Sequence, residues 1–232
     1  MIMGAIMTET TLLRLMTLLS PSFPIGAFSY SHGLEYAVEA QMVVDAMTLE
    51  AWLEDILLHG SGRADGVLFV ASWQARRTNN DKAWQNVVEL GHAFAPSAEL
   101  AMETRNQGAA FLKAVRGTWP TKNLQQLDNI NHGKIVYPVA VGAVCAAHDI
   151  SLSAGLTAYL HGFTTNIISA GVRLIPLGQN AGLRVIANME SHIHHQVGTL
   201  LRTTLDDLCS STPLADICSM RHETLATRIF RS

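Results

Sequence analysis

Ser29, His32 and Glu35 stand three residues apart and are the residue types of a nucleophile, a base and an orienting acid. If the chain from Tyr30 onward is helical, the three line one face. That arrangement argues against catalysis. Side chains stacked along one helix project side by side, whereas a working triad needs groups that converge from different elements onto one reacting atom, with an oxyanion site nearby. The nucleophile-elbow pattern is also missing, because Ser29 rather than glycine precedes Ser31 by two residues. Capping or partner contact is therefore the preferred role for Ser29, Tyr30, His32 and Glu35. Histidine offers a second chemistry. Among ten histidines, His192, His194 and His195 cluster on an expected helix, and His192 and His195 could share a metal ion at the i, i+3 spacing. Neither Glu190 nor Asp206 completes a recognised ligand pattern with them, so a solvated polar face is preferred. The Gly133-Lys134 pair is followed by Ile135 and lacks the earlier glycine of a phosphate-cradling loop. No nucleotide hydrolysis and no directly bound cofactor are expected.

The elements that must position these residues read as helical nearly throughout. From Thr48, taken as an N-cap, Leu49, Trp52, Leu53, Ile56 and Leu57 recur at amphipathic spacing until Gly60 and Gly62. Further helices are expected over 64–77 and 82–90, and from Pro96 to about Gly117. The stretches 134–147 and 152–174 are apolar almost all round, as central helices of a bundle are. Pro176 and Gly178 then stop the pattern, and a last long helix is expected over 181–208. No alternating run is long enough for a sheet, so the fold class is an all-α bundle of roughly eight to ten helices in one domain. The break from Gly117 to Asn131 reads as a connection within it.

Composition narrows the function. The 232 residues are 48% hydrophobic and 15% charged, which is a folded chain on the apolar side. The net charge of -3 forms no basic stripe, so nucleic acid and anionic membranes are not the expected partners. The longest apolar stretch, 135–147, is far shorter than the roughly 20 residues that span a bilayer. The N-terminal residues lack a positive region before their apolar run, so no secretory signal is expected and the chain is placed in the cytosol. Cys145, Cys209 and Cys218 form no close pair and read as free thiols.

Two segments remain unusual. The run 20–35, SPSFPIGAFSYSHGLE, combines Pro21, Pro24 and Gly26 with Phe23, Phe28 and Tyr30, a shaped loop with aromatics to bury or present. The tail 213–232, PLADICSMRHETLATRIFRS, opens with Thr212-Pro213 as N-cap and first helical residue. It ends with Arg221, His222, Arg228 and Arg231 around Ile229 and Phe230. Apolar residues among arginines at a chain end read as a docking element that orders on binding, separable from the bundle at about residue 210, with a last helix folding back onto the bundle as the equal alternative for its first half.

Together with YPVAVGAVCAA from Tyr137 and SAGVRLIPLGQNAG from Ser169, these two segments resemble, in order and over the whole length, the UreF family of urease accessory proteins. The resemblance implies an all-α, dimerising, non-enzymatic scaffold that joins UreD (UreH in some systems) and the GTPase UreG to apo-urease. There it would serve GTP-dependent nickel insertion, with the metal handled by the complex. It also leaves open activation of the UreG GTPase, with Arg173, Arg221 or Arg228 as an arginine finger, or independent nickel binding at His192 and His195. Partner contacts are assigned to Ser29, Tyr30, His32, Glu35, Arg173, Arg221, His222, Arg228, Phe230 and Arg231. UreD is the neighbour expected for the tail, and a chain ending at Ser211 is expected to stay folded while losing it.

Overall fold

A computed structural model describes residues 8–122, 124, 127 and 135–232. The Gly133-Lys134 pair, the expected helix start at Lys134, residues 1–7 and most of the connection after Lys122 lie outside the described residues.

Among the described residues the regular secondary structure is α-helix and 3-10 turn, with no strand. Its helices are α1 (Glu9–Leu18), α2 (Leu34–Glu39), α3 (Ala46–Leu58), α4 (Ser61–Arg77) and α5 (Asp81–Ala93), then α6 (Ala98–Thr118), α7 (Tyr137–Ala147), α8 (Leu152–Leu174), α9 (Gln179–Leu200) and α10 (Pro213–His222). The centre is α7, whose residues from Pro138 to Ala146 are all buried, packed between α4, α6 and α8. Small residues permit that approach. A Cβ on Gly142 would lie 2.5 Å from the Phe69 carbonyl oxygen, and the Ser72 hydroxyl donates to the Val139 carbonyl at 2.6 Å. Trp84, Phe69 and Phe111 are the largest side chains sealed in the core around this crossing. No described helix is long and apolar enough to cross a membrane. All three cysteines are free thiols.

Helix limits follow local chemistry, and α8 spans the expected 152–174. α3 begins at Ala46, two residues before the expected cap. Asp45 is the true N-cap, and Thr48 completes a capping box with it from the third helical position. α3 ends at Leu58, next to the expected stop at Gly60, and α4 begins at Ser61, so Gly60 and Gly62 make a tight corner between the two helices. A Cβ on Gly62 would lie 2.8 Å from the Leu57 Cα. α9 stops at Leu200 instead of continuing to 208. There Asp207 accepts from the Thr204 backbone at 2.8 Å, giving a 3-10 turn an alternative to helical bonding. Thr212-Pro213 opens α10 as expected.

Candidate partner-binding surface

The loop 26–33 does not continue as helix. Ala27–Ser29 form a 3-10 turn, and His32 and Gly33 both take left-handed backbone angles, with φ of 59° and 78°, before α2 begins. Ser29, His32 and Glu35 therefore do not share a helical face. Glycine is required at position 33 twice over, by its positive φ and because a Cβ there would lie 3.0 Å from the Ser219 backbone nitrogen of α10. This close approach seats α10 on α2 and α6.

From α10 the chain returns along the loop. The Arg231 N–H donates to the Ser29 carbonyl and the Ser31 N–H to the Ser232 carbonyl, each at 2.8 Å. The Ser31 hydroxyl adds a 2.5 Å bond to the same Ser232 oxygen. Arg173 covers the joint. It donates to the Phe28 carbonyl at 3.0 Å and stacks its guanidinium 4.3 Å from the centre of the Phe230 ring.

Three buried carboxylates receive the tail. Glu35 accepts from the Ile229 and Phe230 backbone N–H groups at 2.7 and 3.0 Å, and meets His222 Nε2 at 2.9 Å. Glu99 meets His222 Nδ1 and Arg228 Nη1, both at 2.6 Å. Glu103 accepts from the Ser232 hydroxyl at 2.5 Å and from Gln107 at 3.1 Å. Between α6 and α10, the Ser97 and Ser219 hydroxyls bond at 2.6 Å. The tail is thus stitched into the bundle, and a cut after Ser211 would strip partners from all three acids.

The predicted partner residues divide by burial. Tyr30, Glu35, His222 and Phe230 are buried and hold loop to tail, whereas Arg173, Arg221, Arg228 and Arg231 are exposed and Ser29 and His32 are half-buried. Arg173 bonds to the Ser169 and Phe28 carbonyl oxygens and stacks on the Phe230 ring. Glu99, Glu103 and Ser31 were missed. Glu99, Glu103 and Gln107 recur every four residues, and that stripe faces inward on α6, a signal the sequence did carry.

Beside this joint lies a cavity of about 260 Å³ lined by His32, Ser61, Asp65, Glu103, Tyr137 and Tyr159 among others. The His32 ring meets Ser61 Oγ at 2.7 Å and stacks edge-on against Phe163. Burial pulls its pKa down, but the hydrogen bond and charge of Glu103 outweigh this and leave it above the ordinary value. Burial pushes Asp65 up to about 6, against the opposing hydrogen bond from the Tyr159 hydroxyl at 2.7 Å. Elsewhere, His192 Nδ1 lies 3.4 Å from Glu54, and His195 is exposed on the same helix. Among the described residues no three His, Cys, Asp or Glu side chains converge to hold a metal ion.

The UreF family model matches residues 43–190. A protein of Rhodopseudomonas palustris strain BisB5, named urease accessory protein UreF, is 48% identical over 224 residues, 97% of this chain and 92% of that protein. One of the same name from Bradyrhizobium diazoefficiens is 44% identical over 221 residues, covering 95% of this chain and 91% of its own length.

Proposed function

The chain belongs to the UreF family of urease accessory proteins, and on that premise we propose that it is a non-catalytic cytosolic scaffold, working as a homodimer. It joins UreD (UreH in some systems) and the GTPase UreG to apo-urease, with nickel as cargo of the complex. The observation that carries this reading is the joint between loop and tail. The polar groups gathered there are engaged in bonding one segment to the other. They brace a surface from which Phe28 and Ile229 protrude, each 69% exposed. Large apolar side chains held out on a fixed backbone are what a partner's pockets grip, and exposed arginines at the edge suit its rim. Leu214, Ile217 and Met220, three residues apart on α10, are each about half exposed and continue that apolar character.

The test is co-expression with UreD and UreG, followed by capture on a tagged form of this chain. Ile229→Asp and Ile217→Asp alter exposed side chains, so melting stays within about 1 kcal/mol of the parent. UreD capture is expected to fall at least tenfold for one of them, because a charge in an apolar contact is costly to desolvate. Undiminished capture by both variants overturns the assignment of UreD to this surface.

A further inference from the structure

His222 is completely buried, and each of its ring nitrogens faces a different carboxylate, Nε2 that of Glu35 and Nδ1 that of Glu99. A neutral imidazole has one N–H and one lone pair, so it can donate to only one carboxylate. Two ionised partners require both nitrogens to carry protons. We propose that His222 is held as a buried imidazolium and serves as the positioning residue that fixes the tail, and with it the docking surface proposed above.

The surroundings fit a cation. His222 is the last residue of α10, where the helix dipole favours positive charge. The charged groups about it are Glu35 on α2, Glu99 and, one turn further, Glu103 on α6, then Arg228 on the tail and Arg221 and Glu223 beside it in sequence. Arg228 pairs with the far oxygen of Glu99, so Glu35 and Glu99 are balanced by one guanidinium and one imidazolium. A neutral ring would need one carboxyl to hold a proton and donate it back. Glu35 is poorly suited to that, because its two oxygens also accept the Ile229 and Phe230 N–H groups. Glu99 is left as the proton-bearing group of the competing arrangement.

Glu99→Gln separates the two. Glutamine matches a protonated glutamate in shape and can donate its amide to a neutral ring while its oxygen still accepts from Arg228. The competing arrangement therefore makes this variant silent. With an imidazolium, the variant loses the charge-assisted bond to residue 99, because either the amide meets a donor or the ring gives up its Nδ1 proton to accept from it. The Ile229 and Phe230 amides are then expected to exchange with solvent about tenfold faster or more, the loss of one charge-assisted bond, while core amides of α7 are unchanged. Nitrogen-15 spectra of the parent chain at neutral pH are expected to show both His222 nitrogens protonated. A neutral-ring signature, or unchanged exchange in Glu99→Gln, overturns the proposal. Both readouts use the isolated chain, so they succeed or fail independently of UreD capture.

Discussion

Replacing Glu35 by glutamine removes one charge and no volume, and the geometry sets its cost. Oε1 accepts from Ile229 at 2.7 Å, while Oε2 accepts from Phe230 at 3.0 Å and faces His222 at 2.9 Å. A glutamine has one acceptor oxygen. If it takes the Oε2 place, the amide nitrogen confronts the Ile229 N–H; if it flips, it confronts both Phe230 and His222. The milder choice loses one charge-assisted bond and strands one donor, about 2–4 kcal/mol together. Against a total stability of about 5–15 kcal/mol that is a large fraction. Urea unfolding measures it directly. Glu39→Gln on the exposed end of the same helix is the control and is expected within about 0.5 kcal/mol of the parent. If Glu35→Gln also lies within 0.5 kcal/mol of the parent, and the Ile229 and Phe230 amides keep their protection, the account of the tail as anchored on Glu35 fails.

Asp65, raised from 3.8 to about 6, supports folding most below its unfolded value, and that contribution is lost as pH climbs through 6. Asp65→Asn is expected to lack this decline and to gain up to about 3 kcal/mol relative to the parent above the window, read by urea unfolding at pH values on either side of it. Gly142→Ala drives a Cβ against the Phe69 carbonyl and is expected to destabilise by about 1–3 kcal/mol despite alanine's better helix propensity. Gly198→Ala, with nothing within 4 Å, is expected to stabilise by about 0.5–1 kcal/mol, and thermal melts that move in the same direction for both would refute the packing argument.

Sequence periodicity located the bundle well because its helices carry their own signals. The apolar surround of α7 and α8 and the Thr212-Pro213 start of α10 are written within a few residues. Errors arose where one residue type serves two purposes. Thr48 looks like a cap but completes a box from the third helical position, and Gly60 and Gly62 mark the stop of α3 and also form the corner into α4. The tail is ambiguous in sequence for a different reason. Apolar residues among arginines look the same whether they await another protein or lie against acids in their own bundle. Glu35 and Glu99 stand 187 and 123 residues before His222, beyond any local pattern.

That separation also orders events during synthesis. Loop and tail can join only after the intervening chain has been made, and closing so long a loop is entropically costly until the bundle has brought its ends together. Until residues 222–232 emerge, Glu35 has neither His222 nor the Ile229 and Phe230 amides, and Ser29 and Ser31 lack their backbone partners. A nascent chain therefore cannot display the finished joint. The joint is assembled from two segments made far apart in time, and the earlier one waits for the later.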